Sequence, residues 1–235
     1  HDGGYIVGGW TDSFGAGDED LWVLKLRADA SVERQKTYGG VDKDEAKSIQ
    51  QTGDGGYIVV GWTRSFGAGE SDFWVLKLAS DGTVEWQKAY GGNDFESASS
   101  IQQTRERGYI VAGGTSSSGA GESDFWVLKL ASDGTVEWQK TYGGDRYDEA
   151  RSIQQTGDGG YIAAGVTRSF GAGDKDIWVL KLSANGTVEW QKSYGGIEWD
   201  AAESIQQTRD GGYIVAGKTA SFDRYSKTLD LWVLK

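Results

Sequence analysis

The chain has 235 residues, among them 37 Gly, 11 Trp and 11 Tyr, and it contains no Pro, Cys or Met. The missing Cys excludes disulfides, thiolate nucleophiles and iron–sulfur sites, and a single His, His1, excludes His-based metal centres and Ser-His-Asp triads. The net charge of −11 argues against nucleic acid or an anionic membrane as a partner. No apolar run approaches the ~20 residues of a membrane-spanning helix, so we expect no membrane insertion, and composition indicates no cofactor.

One sequence repeat organises the whole chain. Gly-Tyr-Ile-Val or a near copy recurs every 52 residues and places the tyrosines Tyr5, Tyr57, Tyr109, Tyr161 and Tyr213. The following Trp-Val-Leu-Lys keeps the same step until an insertion around residues 221–227 delays Trp232 by two residues. No linker or composition shift interrupts the pattern, so we expect one domain over residues 1–235, built from 52-residue repeats.

Each repeat contains four predicted strands, which we label A, B, C and D in chain order. Strand A is exemplified by residues 98–104, strand B by 56–62, strand C by 73–78 and strand D by 83–90. Strands B and C are rich in aromatic and β-branched residues, and strand D alternates apolar with polar residues. A helix is not expected, because no segment keeps an apolar period of 3.6 residues for three turns.

The turns between these strands indicate the architecture. Gly-Asp-Gly-Gly between A and B, and Asp-Gly or Asn-Gly between C and D, are signals of tight hairpins, whereas the D–A connection is longer. Four-stranded antiparallel units repeated in this way predict an all-β chain folded as a β-propeller. The sequence holds five B and five C segments but four A and four D segments. We therefore predict five blades with incomplete terminal blades; either the chain is a window on a longer repeat protein or those blades are three-stranded.

The order of these motifs resembles the Kelch repeat. It is still more similar to the DGGYIVAG…WVLKL…GxxxWQKTYGG repeats of secreted and surface proteins of archaea and bacteria, and the similarity covers the whole chain. The resemblance implies that A is the innermost and D the outermost strand, and that the protein is extracellular or at the cell surface. Kelch-like propellers serve as protein-binding modules, lectin-like modules and oxidase scaffolds. Their copper enzymes use Cys, Tyr and His ligands, but this chain has no Cys and its single His is the terminal His1.

The repeats differ from one another mainly in the D–A loop and at the start of the B–C loop. In an up-and-down blade both loops emerge on the same face, so we expect them to form one rim. A constant scaffold with variable loops is typical of a recognition surface, although loops free of packing constraints also drift. The variable positions include large aromatic side chains, which serve as anchors for sugars or proteins but could also pack between blades. The candidate ligand-binding residues are Trp10, Trp62, Arg64, Phe95, Tyr147, Arg168 and Trp199.

Three functions follow from this pattern as alternatives. The first is a non-catalytic module that binds a glycan or an extracellular protein through the rim. The second is a structural surface-layer or filament module that self-associates through the edges of its terminal blades. The third is a carboxylate-dependent glycoside hydrolase. Because nearly every acid repeats by blade and Cys and His are missing, we predict that the chain is not an enzyme.

Several polar residues suggest either a metal site or a structural role. The acids Asp18, Glu19 and Asp20 are weak calcium candidates, because calcium needs six to eight oxygen ligands. Alternatively, the repeated Asp before strand C bonds backbone amides. One Gln of each Gln-Gln pair in strand A, as at Gln50 and Gln154, is predicted to bond another Gln or water. Lys in strand C and Glu in strand D are predicted to form solvated cross-strand ion pairs.

Overall fold

A computed structural model describes residues 3–221 and 229–235, and every regular element in that part of the chain is a β-strand. His1 and the predicted insertion, apart from Ser221, lie outside the described residues. The strands are β1 (Tyr5–Thr11), β2 (Asp20–Leu26), β3 (Val32–Tyr38), β4 (Asp44–Gln51), β5 (Tyr57–Thr63), β6 (Asp72–Leu78), β7 (Val84–Tyr90), β8 (Glu96–Gln103), β9 (Tyr109–Thr115), β10 (Asp124–Leu130), β11 (Val136–Tyr142), β12 (Asp148–Gln155), β13 (Tyr161–Thr167), β14 (Asp176–Leu182), β15 (Val188–Tyr194), β16 (Asp200–Gln207), β17 (Tyr213–Thr219) and β18 (Asp230–Leu234).

These strands form five antiparallel sheets with neighbours in chain order. The sheets are β1-β2-β3, β4-β5-β6-β7, β8-β9-β10-β11, β12-β13-β14-β15 and β16-β17-β18. Four-stranded sheets contain A, B, C and D in that order, the first sheet lacks strand A, and the last lacks strand D. The prediction of an all-β chain with five blades, of which the terminal two are incomplete, is therefore confirmed. The predicted strand bounds agree with the observed ones to within two residues.

The chain divides into two compact units, and each is described by itself. The first unit consists of His1–Tyr109 and Ala131–Thr135, and the second of Ile110–Leu130 and Val136–Lys235. The expectation of one domain over residues 1–235 stays a prediction. None of the described segments forms a helix long and apolar enough to span a membrane.

Strands B and C carry the core of both units. β6, β10 and β14 are buried at every position, as are β9 and β13, in keeping with their aromatic and β-branched sequences. Strand D is a partly exposed edge, as the alternating sequence of β7 predicts. Within each unit the buried side chains of one sheet pack on those of the next, for example Val23 on Val59 and Val179 on Val215.

The repeated Trp of strand D contributes to this packing between sheets. Trp86 meets the ring of Tyr109 edge-on, with ring centroids 6.0 Å apart, in the first unit. Trp138 and Trp190 make the same contact with the tyrosines of the following sheets in the second unit. The prediction that these Trp side chains pack between blades is confirmed.

The strand-C lysines correct one expectation. The predicted ion pairs are present, with Lys77 Nζ 3.2 Å from Glu85 and Lys181 Nζ 3.1 Å from Glu189. The lysines are not solvated, however, because Lys77 is only 3% exposed. Its ammonium group also lies 3.0 Å from Asp54 in the A–B turn and donates to the Leu78 carbonyl oxygen. A buried ammonium group needs several acceptors, and the turn supplies one that cross-strand spacing alone does not show.

The A–B turn is fixed by a short set of hydrogen bonds. The Thr52 amide donates to the Gly56 carbonyl oxygen at 2.9 Å. Asp54 Oδ1 accepts from Thr52 Oγ1 at 2.5 Å and from the Gly56 amide at 2.9 Å. These bonds, led by the one from Thr52, lower the pKa of Asp54 to about 2. Gly55 has a φ of 86°, a conformation that favours Gly.

Candidate functional site

The D–A loops and the B–C loops meet at one end of the strands. In the second unit, the Asp148 amide donates to the Ser123 carbonyl oxygen at 2.7 Å, and the Arg168 amide donates to the Tyr147 carbonyl oxygen at 2.8 Å. A D–A loop is thus held between the B–C loops of two successive sheets. The same two bonds recur in the first unit between Asp44 and Glu19 and between Arg64 and Lys43. The contact between the two variable loops matches the geometry expected of a rim within each unit.

Buried carboxylates hold these loops in place. Asp124 Oδ2 accepts hydrogen bonds from the amides of Ala120 and Gly121 at 2.8 and 3.3 Å. Asp148, at the start of the next strand A, accepts from the Gly144 amide at 2.9 Å. The equivalent carboxylates Asp20, Asp72 and Asp176 bond amides of their own B–C loops. The repeated Asp before strand C therefore bonds backbone amides, as its structural explanation predicts.

The closeness of two buried acids explains the first Gly of the Gly-Gly that follows strand D. A Cβ on Gly143 would lie 1.7 Å from Asp124 Oδ1 and 2.9 Å from Asp148 Oδ2. Burial raises the pKa of Asp124, and the nearby charge of Asp148 adds to the rise. Burial raises the pKa of Asp72 and Asp176 in the same way. The same contacts of buried acids with loop amides therefore recur beneath the variable loops of several sheets.

In the first unit, three of the predicted site residues come together, and we call Trp62, Arg64 and Phe95 the first loop cluster. The Arg64 guanidinium lies 5.7 Å from the ring centroid of Trp62 and 5.8 Å from that of Phe95. These distances are within the range of cation–π attraction. Phe95 is 48% exposed and Trp62 is half-buried, so the cluster presents ring surface and positive charge to solvent.

In the second unit, Lys175 lies near two predicted site residues, Tyr147 and Arg168, and we call these three residues the second loop cluster. Lys175 Nζ lies 4.5 Å from the centroid of the Tyr147 ring. Burial lowers the pKa of Lys175, and the charges of Arg168 and Arg151 lower it further. Burial also raises the pKa of Tyr147, with a contribution from the charge of Glu149. Lys175 therefore lies over a half-buried ring with two arginines nearby, and each arginine also pairs with an acid, Arg168 with Asp174 at 3.4 Å and Arg151 with Glu203 at 2.7 Å.

Two predicted site residues lie outside these clusters. Trp10 is on β1, opposite Leu21 in the neighbouring strand, and is 48% exposed. Trp199 forms an isolated parallel bridge with Lys175, and its carbonyl oxygen accepts from the Ala220 amide at 2.9 Å. The Trp199 side chain is half-buried beside the second loop cluster. Whether these residues bind a ligand stays a prediction.

The calcium alternative finds no support in the positions of its candidate ligands. Asp20 Oδ2 accepts from the Ala16 amide at 2.7 Å, and Glu19 pairs with Lys43 at 2.6 Å, while Asp18 is exposed. Within residues 3–221 and 229–235, no group of three or more His, Asp or Glu side chains could hold a metal ion. Asp20 therefore bonds a loop amide and Glu19 pairs with Lys43.

Gln50 and Gln154 each accept a hydrogen bond from the backbone amide of another Gln, and whether the strand-A glutamines also bond water stays a prediction. Gln50 Oε1 accepts from the Gln103 amide at 2.7 Å, and Gln154 Oε1 accepts from the Gln207 amide at the same distance. Gln103 Oε1 in turn accepts from the Gly53 amide at 2.8 Å. Strand A has a ladder partner on one side only, so backbone amides on its other side bond glutamine oxygens of the preceding strand A in the same unit.

Sequence reasoning missed Lys175 as a member of the site. The position before strand C varies among repeats, with Glu19, Ser71, Ser123 and Lys175. That variation is a signal of the same kind as the one that indicated Arg64 and Arg168. The variation is hard to recognise because the acidic residue that follows it is constant in these repeats.

Comparisons with known proteins agree on the fold. The family model described as a β-propeller domain of unknown function (DUF5122) matches residues 52–85 and 108–137, each spanning strands B and C. The structure of Sqt1 from Chaetomium thermophilum is similar with a TM-score of 0.51 and 13% identity, over 91% of this chain and 50% of that one. The chain thus spans half the length of Sqt1. A comparison with curated proteins gives no match.

Two further similar structures are hydrolases. A thermostable family-43 glycoside hydrolase has a TM-score of 0.51 and 12% identity, over 99% of this chain and 86% of that one. Puromycin hydrolase has a TM-score of 0.50 and 14% identity, over 90% of this chain and 36% of that one. At these identities the likeness is one of fold.

The comparisons contradict the prediction that the chain is not an enzyme. That prediction rested on the missing Cys and His and on acids that repeat by blade. Hydrolases share the fold, and glycoside hydrolysis needs only carboxyl groups, which 35 Asp and Glu residues can supply. A β-propeller fold by itself therefore does not exclude catalysis. The sheets, their order and the matching family model together show that the chain is a β-propeller of five antiparallel sheets.

Proposed function

We propose that the chain is a Kelch-like recognition module, extracellular or at the cell surface, that binds a glycan or a protein partner through its loop clusters. The observation that carries this proposal is the pairing of an aromatic ring with a cation in both clusters. The Arg64 guanidinium lies 5.7 and 5.8 Å from two ring centroids in the first, and Lys175 lies over the Tyr147 ring in the second. The surrounding strands are nearly invariant, so the variation falls where a ligand can reach it.

The chemistry of the clusters favours a ligand with negative charge and a flat apolar face. Aromatic rings stack on the apolar faces of sugars and partner side chains, and guanidinium groups bind carboxylates and sulfates in pairs of hydrogen bonds. Lys175 is half-buried with Arg168 and Arg151 nearby, so a bound anion would reduce the repulsion among these positive charges. We infer that an acidic glycan fits this combination better than a neutral one.

The test uses replacements that the chain itself supplies. Val166 and Ser116 occupy the positions of Trp62 and Arg64 in other repeats, so Trp62→Val with Arg64→Ser should leave the fold intact. We expect the wild-type chain to bind sulfated or carboxylated saccharides on a glycan array, and the double variant to bind about tenfold more weakly, since Trp and Arg dominate binding energy. Binding should weaken as salt concentration rises, because it involves exposed charges.

Asn185→Asp is the matched control, because it copies the C–D turn of other sheets at the opposite ends of the strands. It should bind like the wild type. Unchanged binding by the double variant would overturn the role of the first loop cluster. An array without a bound glycan would leave a protein as the ligand class to pursue. Reducing ends measured in the same mixtures report hydrolysis separately from binding.

A second candidate function is self-association as a structural repeat module. It is favoured by the exposed apolar residues of β18, where Leu231 is 79% and Val233 is 53% exposed. Exposed apolar edge strands pair readily with other strands. Light scattering should then show oligomers that Leu231→Lys dissociates, and a monomer at all concentrations would exclude this function.

A further inference from the structure

Successive sheets within each unit pack through two different faces. In the first unit, Val23 of the first sheet lies in one buried cluster with Tyr57 and Val59 of the second sheet. In the second unit, Val179 of the fourth sheet lies in one buried cluster with Val215 of the fifth sheet. The earlier sheet contributes the same strand-C position in both contacts, and the later sheet contributes the same strand-B position. The contact between sheets therefore has a direction along the chain.

The first sheet leaves one of these faces uncovered. Tyr5 is 57% exposed, whereas Tyr57, at the same position in the second sheet, is 6% exposed. Val7 is also exposed, whereas Val59 is fully buried. Val7 stands opposite Leu24 in the neighbouring strand, and Leu24 is only half-buried. We call this surface the first-sheet face and define it by Tyr5, Val7, Trp22 and Leu24.

The fifth sheet leaves the other kind of face uncovered. Leu231 is 79% exposed, whereas Leu21, at the same position in the first sheet, is fully buried. Val233 is exposed as well, and it stands opposite Ala216, which is half-buried. We call this surface the last-sheet face and define it by Ile214, Ala216, Leu231 and Val233.

The two uncovered faces are the two halves of the contact that occurs inside each unit. Val233 occupies the position of Val23, and Val7 occupies the position of Val59, which packs with Val23. Contiguous exposed apolar residues mark interaction surfaces. The contacts inside the units always join a face of one kind to a face of the other kind. A partner for either face should therefore carry the opposite face, and this chain itself carries both.

We propose that a second copy of this chain covers these surfaces, with the last-sheet face of one copy packed on the first-sheet face of the next. The contact uses a different surface on each copy, so it is heterologous and each added copy offers a free face for another. The proposal rests on the second candidate function, self-association, and deepens it by naming both surfaces and their direction. It does not depend on glycan binding by the loop clusters.

The test places one charge on one face at a time. Tyr5→Lys and Leu231→Lys each introduce an ammonium group that the contact would bury without an acceptor, which is costly. Both positions are exposed, so each variant should keep the unfolding temperature of the monomer. We expect sedimentation velocity to show wild-type oligomers that grow with concentration, and each variant alone to associate at least tenfold more weakly. An equal mixture of the two variants should form a heterodimer and nothing larger, because each variant contributes the face that the other has lost.

Val41→Lys is the matched control, because Val41 is 77% exposed but lies in a D–A loop outside both faces. It should form oligomers like the wild type. A wild type that stays monomeric at every concentration overturns the proposal, including a monomer in which the two faces pair within one chain. Oligomers of Tyr5→Lys alone also overturn it and leave pairing through the edge of β18, and so does a mixture without the heterodimer. Both variants should bind the same glycans as the wild type, so the recognition proposal stands or falls separately.

Discussion

Individual buried acids determine the shape of the loops. Asp124 is 1% exposed and bonds two amides of its own B–C loop. Burial raises the pKa of Asp124. The pKa of Asp54 is lowered instead, first by the hydrogen bond from Thr52 and then by other hydrogen bonds to its carboxylate. Protonation of Asp124 should therefore stabilise the folded chain, whereas protonation of Asp54, at the opposite end of the strands, should destabilise it.

The pH dependence of stability should show this difference. The folded chain binds the Asp124 proton more tightly than the unfolded chain does, because the folded pKa is raised. Its contribution to the free energy of unfolding is present below the unfolded pKa of 3.8 and is lost as pH rises through the raised value. Urea unfolding at a series of pH values should show that Asp124→Asn is more destabilising relative to wild type in acid than at neutral pH.

Asp54→Asn provides the comparison with the opposite sign. The lowered pKa of Asp54 gives a contribution that is present above pH 3.8 and lost as pH falls through about 2. The cost of this substitution should therefore grow as the pH rises over that range. A cost of Asp124→Asn that also grew toward neutral pH would contradict a raised pKa of Asp124 in the folded chain.

At the scale of the strand, a bulge in strand A decides which residue strand B can carry. The register of β12 on β13 shifts between Ala150 and Ser152. A Cβ on Gly165 would lie 2.0 Å from the Glu149 carbonyl oxygen. The first sheet has no strand A, and a Cβ on Gly9, at the equivalent position, meets nothing within 4 Å.

The two glycines should respond differently to the same substitution. Gly165→Ala pushes a methyl group into a backbone carbonyl and should lower the free energy of unfolding by about 3 kcal/mol. Gly9→Ala should change it by about 0.5 kcal/mol or less, because no atom must move. Urea unfolding of both variants measures the difference, and equal costs would show that strand propensity rather than the bulge explains the glycine.

At the scale of the whole molecule, one hydrogen bond recurs between successive sheets. The Tyr142 hydroxyl donates to the Gly186 carbonyl oxygen at 2.6 Å, joining strand D of one sheet to the C–D turn of the next. Tyr38 and Tyr90 make the same bond at the same distance in the first unit. Burial raises the pKa of Tyr38 to about 12, as expected of a phenol shielded from water.

Removal of this bond should cost stability only where it is formed. Tyr142→Phe leaves the Gly186 carbonyl oxygen with one partner fewer and should lower the free energy of unfolding by about 1 kcal/mol. Tyr194, on the last strand D, is 36% exposed and makes no such bond among the described residues. Tyr194→Phe should therefore be nearly neutral in thermal unfolding. A similar loss in both variants would mean that the hydroxyl acts through solvation rather than through the bond between sheets.

The sequence predicted the candidate site only in part. Comparison of the repeats indicated Trp62, Arg64 and Phe95 one by one, because each stands where its repeats vary. It did not show that the Arg64 guanidinium is close to both rings, since Phe95 is 31 positions away and its place depends on how the D–A loop is held. The burial of Lys77 could not be predicted either, because the acceptor that permits it comes from the A–B turn.

The sequence by itself determined the strands, their order in each sheet and the incomplete first and last sheets. Those features depend on local signals, namely alternation, β-branched and aromatic runs and Gly-containing turns, repeated often enough to remove ambiguity. Only the tertiary structure decided which polar groups are paired and which are not. The Tyr142 hydroxyl and the Gly186 carbonyl oxygen, for example, are 44 positions apart in the sequence, and their hydrogen bond depends on how two sheets pack. Burial arises from contacts between distant residues, so no local pattern can encode it.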